Sequence, residues 1–297
     1  MIDLHTHSTS SDGFLSPKEL LSIALKIKLE ALALTDHDAV SGLKELHQAA
    51  KNKPIEIING AEMSVYYPKT DMEIIAIDIP DKSLSAFADY QQKEISRREQ
   101  LAQDRIVILQ KAGYDISYDE VAYDHNGNKR IQIRRPHFTD ILLKKGYIKD
   151  ADEAYNKIFA DGGICDISNK ALSVDKMIRF IHENNAKAIL AHPIHTLHTG
   201  KKLFQLLQKL KKLGLDGIEV FHSSQSQELR KEYLEMITEL KMITTGGSDF
   251  HGGSAHPENK LGTGCENNLN IPYLVLEQLR KKRAPSKTYY NELKKYL

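Results

Sequence analysis

The stretch Met1-Ile-Asp-Leu-His5-Thr-His7-Ser-Thr-Ser-Ser-Asp12-Gly13 decides how the chain is read. Ile2 to Leu4 is a short apolar run of the kind that forms a buried strand. In extended backbone, residues i and i+2 point to the same side. His5 and His7 therefore aim two imidazoles at one point from one rigid element, as a metal site needs. Asp12 sits in a Ser/Gly turn from which a carboxylate can reach back. One such pair is equally compatible with ordinary strand-end packing. Recurrence of the pattern later in the chain decides between the two.

Working outward, Ser16-Pro17 opens a helix with Pro in its first turn. Ala31 to Thr35 reads as a buried strand ending in Asp36-His37-Asp38, and a helix follows over about 41–51. Ile55 to Ile58 is a third strand, closed by Asn59-Gly60-Ala61-Glu62, and Met72 to Ile79 a fourth after a turn at Pro68. Apolar strands in this βαβαββ order predict a parallel sheet or barrel. Polar groups cluster after the strands, where parallel α/β folds carry their sites. Leu84 to Ala112 is one long, highly charged helical run. Its lysines, arginines and glutamates read as a solvated face. The strand–helix rhythm returns at Ser173, placed to cap a helix to about Asn185. Lys187 to Ala191 is a strand ending in His192-Pro193-Ile-His195, Asp216 to Phe221 one ending in His222, and Met242 to Thr245 one ending in Gly246-Gly-Ser-Asp249-Phe-His251. A last helix is expected over about 273–282. The domains expected are a barrel from 1–82 and 166–297 and a helical insertion at 83–165 that covers the active site.

Composition narrows the classes. The 297 residues suffice for one large α/β domain or a barrel with an insertion. Hydrophobic residues at 41% and charged residues at 27% are those of a soluble globular protein. A net charge of +1 argues against a surface that coats nucleic acid, though not against a small phosphate pocket. Two cysteines, Cys165 and Cys265, are too few for a disulfide framework and read as small buried residues in a reducing cytoplasm. A cytoplasmic location is expected, with no leader and no membrane segment.

Strand after strand thus ends in metal-type groups: His5/His7, Asp36/His37, Glu62, His192, His222 and Asp249/His251. On a single parallel sheet these lie around one rim. Imidazole and carboxylate without thiolate suit Zn, Mn or Fe. So many ligands exceed one ion's needs and predict two or three divalent ions with a bridging carboxylate. Such a cluster lowers the pKa of water to about 7 and clamps attacking and leaving oxygens, which is phosphoester chemistry. No Gly-x-Ser-x-Gly elbow or Walker loop competes with it.

His5-x-His7, Asp12, Thr35-Asp-His37, Gly60-x-Glu62, Ala191-His-Pro193 and Gly247-Ser-Asp-x-His251 together resemble the motif series of the PHP (polymerase and histidinol phosphatase) superfamily. The insertion and Arg135-Pro-His137 resemble its stand-alone phosphoesterases that act on nucleoside 3′,5′-bisphosphates and 5′-phosphorylated oligoribonucleotides. The resemblance implies a distorted (β/α)7 barrel with three metal positions. One takes His5, His7, Glu62 and Asp249, and a second Asp12, His37 and His251. A third shares Glu62 with His192 and a further His, expected in the fourth strand. There the chain departs from the pattern, because Glu73-Ile74-Ile75 places Ile at that point. The third position is then incomplete, or completed by another group such as His137 or His222. The resemblance also implies phosphate contacts from Arg135 and His137.

Other residues keep two readings. Asp36 orients a ligand or, with Asp38, caps a helix. Arg134 and Arg135 fork a phosphate or are an ordinary surface pair. His195 faces the pocket or solvent, and His222 lines the site. His47, His125, His182, His198 and His256 read as surface residues. Tyr66-Tyr67 reads as hairpin packing rather than base stacking, and Lys170 is a candidate phosphate neutraliser.

The expected protein is a metal-dependent phosphoesterase acting on a small nucleotide or short 5′-phosphorylated RNA, with no obligate protein partner. A metal-activated hydroxide attacks phosphorus, the ions held by Asp249 and its fellow ligands together with Arg135 neutralise the charge that develops, and His192 or His137 protonates the leaving oxygen. A histidinol-phosphate phosphatase and a non-catalytic metal-binding module are the alternatives.

Overall fold

Seven strands pair side by side in the order in which the chain makes them. They are β1 (Ile2–Asp3), β2 (Ala31–Leu34), β3 (Glu56–Tyr67), β4 (Thr70–Ile77), β5 (Lys187–Leu190), β6 (Gly217–His222) and β7 (Ile243–Gly247). This computed structural model describes residues 1–297 except 69, 124–126, 161, 166, 168–170, 197, 253–257 and 282–283, with backbone alone at 71 and 151. The last strand returns to the first: Leu4 N donates to Gly246 O at 3.2 Å, Asp249 N donates to His5 O at 2.9 Å, and Thr6 bridges Phe250. The sheet is therefore a nearly closed barrel. Gly247 permits that closure, since a Cβ there would lie 2.3 Å from both N and Cβ of His5.

Four strand pairs are parallel, β1–β2, β2–β3, β5–β6 and β6–β7. The expectation of a single parallel sheet fails at β4, which runs antiparallel to both β3 and β5. The reason is the connection. Two residues separate Tyr67 from Thr70, whereas a parallel crossover takes a dozen or more. A hairpin results, with Tyr66 exposed near its end.

The helices in chain order are α1 (Pro17–Lys26), α2 (Leu43–Ala50), α3 (Leu84–Lys111), α4 (Tyr118–Ala122), α5 (Arg135–Lys144), α6 (Ala151–Ala154), α7 (Val174–Glu183), α8 (Gly200–Lys212), α9 (Gln227–Leu240), α10 (Leu274–Leu279) and α11 (Lys287–Leu293). Ser16 and Glu19 close a capping box on α1, with Pro17 as the first helical residue. Ser173 stands at the N-cap position of α7 but makes no side-chain cap hydrogen bond, contrary to the capping expected of it. The stripe Val174, Met177, Ile178, Ile181 buries α7 at helical spacing. No described helix is long and apolar enough to cross a membrane.

The chain divides into two units, Met1–Ala88 with Ala171–Leu297, and Asp89–Lys170. The first holds the barrel, whose strands bury Leu32, Ile58, Ile74, Ile189, Ile218 and Val220 on their two faces. The second is helical and has its own core of Leu109, Val121, Phe138, Leu142 and Ile158. Both cysteines are free. Cys165 is buried in the second core and Cys265 only half-buried, so the buried-residue reading holds for the first alone.

Candidate metal centre

Parallel strands deliver their C-terminal residues to one rim, and the histidines and carboxylates at those ends converge. His5 Nε2 lies 3.1 Å from His7 Nε2, 3.3 Å from Glu62 Oε2 and 3.4 Å from Asp249 Oδ1. His7 Nε2 lies 3.0 Å from Asp249 Oδ1. A second group gathers on Asp12, whose oxygens lie 3.8 Å from His7 Nδ1, 3.6 Å from His37 Nε2 and 3.4 Å from His251 Nε2. On the remaining side of Glu62, His192 Nε2 is 2.8 Å from Oε1 and His37 Nδ1 is 3.1 Å from Oε2. Within each of the sets His5/His7/Glu62/Asp249 and His7/Asp12/His37/His251, one donor atom per residue lies within 4.8 Å of all the others. Oxygen and nitrogen ligands about 2.0–2.2 Å from an ion span comparable distances.

Two carboxylates belong to this cluster that strand-end reasoning missed. Glu73 on β4 lies 3.3 Å from His37 Nδ1 and 3.5 Å from His192 Nε2. Glu219 is fully buried on β6, with Oε1 3.0 Å from His5 Nδ1 while Oε2 accepts the His192 backbone N–H at 2.8 Å. His192 has φ of +21°, a conformation L residues rarely adopt and one held here by that hydrogen bond. The available signal was a lone carboxylate inside the apolar run Gly217–His222. Asp3 carried a similar signal. Its buried carboxylate accepts from Ser248 N, Ser248 Oγ and Gly262 N, tying β1 to the loop after β7.

Asp36 does not cap a helix. Helix α2 starts beyond Gly42, and Asp36 accepts from Ser8 N, Ser8 Oγ and Ser11 Oγ at 2.6–2.7 Å. It thereby shapes the loop between His7 and Asp12. Asp38 accepts from Ser64 N instead. His222 is buried, with Nδ1 2.7 Å from Ser224 Oγ and Nε2 3.6 Å from Asp249 Oδ2. His195 is exposed, yet its ring centroid lies 4.8 Å from that of His192. Arg134, Arg135 and His137 belong to the second unit. Arg134 N donates to His137 Nδ1, and the Arg135 guanidinium stands 5.8 Å from the Tyr155 ring. His47 and His182 are surface residues paired with Asn59 and Asp216, and His198 is half-buried. His125, His256 and Lys170 lie outside the described residues.

The residues present fit divalent cations. Glu62 Oε2, His7 Nδ1 and His222 Nε2 are buried without a hydrogen-bond partner among the described residues. Buried polar atoms ordinarily have one, and its absence costs about 1–3 kcal/mol. An imidazole–carboxylate donor set meets that need with a cation of the Mn, Fe or Zn kind.

Charge in the cluster is strongly coupled. Burial opposes ionisation of Glu62 and Asp249, but neighbouring imidazoles outweigh it and hold both carboxyls well below their ordinary range. Burial likewise opposes protonation of His192, yet its contact with Glu62 and the charges of Glu62 and Glu73 raise it to about 9. His251 is raised to about 9 against burial by Asp12 and Asp249. His7 falls to about 4 through burial and the adjacent His251. Cations must displace the protons on His192 and His251, so Mn²⁺ affinity should rise with pH up to about 9, with proton release. In metal-free protein the sign reverses. The folded histidines bind protons that unfolded ones have lost, so their stabilisation is complete below pH 6.5 and lost as pH rises through about 9. Calorimetric titration in two buffers, with thermal melts of stripped protein, checks both signs.

The PHP domain model matches residues 3–246. A 5′-3′ exoribonuclease of Haemophilus influenzae is 31% identical over 84% of this chain and 89% of its own length. A 3′,5′-nucleoside bisphosphate phosphatase of Chromobacterium violaceum is 30% identical over 84% of this chain and 87% of its own. Among solved structures, an amidohydrolase from Chromobacterium violaceum with bound sulfate and no metal superimposes with a TM-score of 0.78 at 26% identity, over 97% of this chain and 99% of that one.

Proposed function

This chain belongs to the PHP domain family, and on that footing we propose that it is a metal-dependent phosphoesterase releasing phosphate from nucleotides. Its substrates in this reading are nucleoside 3′,5′-bisphosphates or short 5′-phosphorylated RNA. The observation that carries the proposal is Glu62, a fully buried carboxylate whose two oxygens face different imidazole sets. That is the arrangement of a bridging ligand. His5, His7, Glu62 and Asp249 would hold one divalent ion, Asp12, His37 and His251 a second, and Glu62 with His192 a further one. Bound there, such ions supply Lewis acidity and an acidified water.

The chain's own residues do the rest. Asp36 positions the loop bearing Asp12. His192 aims Nε2 between Glu62 and Glu73, as a ligand would, which favours His137 as proton donor to the leaving oxygen. The helical unit carries Arg134, Arg135 and His137, which in this reading select the phosphate. Arg135→Ala should then raise KM for the bisphosphate about tenfold or more with a smaller change in kcat, because a charge-assisted fork to phosphate is lost. Steady-state kinetics against AMP and the bisphosphate reads this directly.

The substrate class is tested with a panel of adenosine 3′,5′-bisphosphate, AMP, a 5′-phosphorylated oligoribonucleotide and histidinol phosphate. Selective hydrolysis of the first or third supports the proposal. Preference for histidinol phosphate replaces it with that activity, and metal uptake with no turnover replaces it with a non-catalytic module.

A further inference from the structure

We propose that Glu73 completes a third cation site around Glu62, one rich in carboxylate and therefore selective for Mn²⁺ or Mg²⁺ over Zn²⁺. The inference deepens the reading above and rests on it.

The register of the hairpin is the starting point. Glu62 on β3 stands directly opposite Ile75 on β4, and Ser64 opposite Glu73. Opposed residues of an antiparallel pair share a face, as do residues two apart on one strand. Glu62, Ile75 and Glu73 therefore point to the same side. Ile75 is buried and has no donor atom. The next position on that face is Glu73, and its carboxylate comes between two imidazoles, 3.3 Å from His37 Nδ1 and 3.5 Å from His192 Nε2.

His37, Glu62 and Glu73 offer donor atoms all within 4.8 Å of one another. His192 Nε2 approaches the same pair of carboxylates from the side of β5. Glu62 gives Oε1 to His192 and turns Oε2, 3.1 Å from His37 Nδ1, inward as a buried oxygen with no hydrogen bond among the described residues. His222 does not compete for the role. Its Nε2 faces Asp249, and it groups with His5 and Glu219.

Glu73 adds a full carboxylate charge to this position beside the share given by the bridging Glu62. Oxygen-rich sites suit Mn²⁺ and Mg²⁺, whereas imidazole-rich ones suit Zn²⁺. The cluster is thus graded: two histidines and one carboxylate at the Asp12 position, two of each at the His5/His7 position, and two carboxylates with His192 here. The competing explanation is that Glu73 does no more than pair with His37 and His192. Removing its charge would then leave cation binding untouched.

The test counts ions with Mn²⁺ alone as the probe. Stripped wild-type, Glu73→Gln and Glu73→Asp proteins are reloaded, and bound manganese per chain is measured by mass spectrometry beside calorimetric titration. Glu73→Gln should bind one ion fewer than wild type with its remaining sites unchanged. Glu73→Asp should keep the ion with its Kd raised about tenfold or more, and Mg²⁺ should displace that ion first in wild type. Equal counts and equal weakest affinities in all three proteins overturn the inference while leaving the phosphoesterase reading intact. Wild-type protein that binds no Mn²⁺ overturns both.

Discussion

Glu62→Gln should lower phosphoester turnover by about 10³-fold or more. Glu62 lies within 3.4 Å of His5, His7 and His37 and 2.8 Å from His192, so every part of the cluster except the Asp12 side depends on it. The amide keeps the shape but loses the charge and one acceptor. A bound Lewis acid contributes several kcal/mol to phosphoester hydrolysis, and each 1.36 kcal/mol is a tenfold change in rate. Loss of an ion that Glu62 would hold therefore reaches the thousandfold range. Bound manganese should fall in parallel, and an unchanged circular dichroism spectrum separates this from misfolding. Asp249→Ala should behave alike, since Asp249 reaches His5, His7, His222 and His251. Wild-type turnover in either variant would sink the mechanism.

Glu219→Gln should weaken Mn²⁺ binding by about 10- to 100-fold, the range seen when a group orienting a metal ligand is lost. Both oxygens of Glu219 accept, one from His5 Nδ1–H and the other from the His192 backbone N–H. Glutamine offers one acceptor and one donor, so either flip opposes one N–H with another. The unmatched buried group costs about 1–3 kcal/mol. The acceptor at Nδ1 also fixes the His5 tautomer that leaves Nε2 facing Glu62 and Asp249. Calorimetric titration of the variant with Mn²⁺ measures the shift. An unchanged affinity would mean that Glu219 only fills space.

The parts of the centre legible from the chain were those that follow from strand direction. A parallel strand ends at the rim, so His5, His7, His37, His192, His222 and Asp249 could be read from their places after apolar runs. Glu219 escaped because it lies inside its strand, where burial rather than sequence position marks it. Glu73 escaped because β4 runs the other way, which reverses the end of that strand that serves the rim. The two-residue link after Tyr67 held that information, but only pairing fixes what it means. The second C-terminal helix, α11, was passed over because its Lys/Tyr-rich stretch has little apolar periodicity, although Tyr289, Tyr290 and Leu293 bury one face.

The central claim, that the Glu62-centred cluster is the hydrolytic centre, is tested most directly by phosphate release from adenosine 3′,5′-bisphosphate as stripped protein is titrated with Mn²⁺. Turnover should be absent with chelator present and should rise to saturation as the ions bind. Release that persists undiminished in metal-free protein would contradict the account.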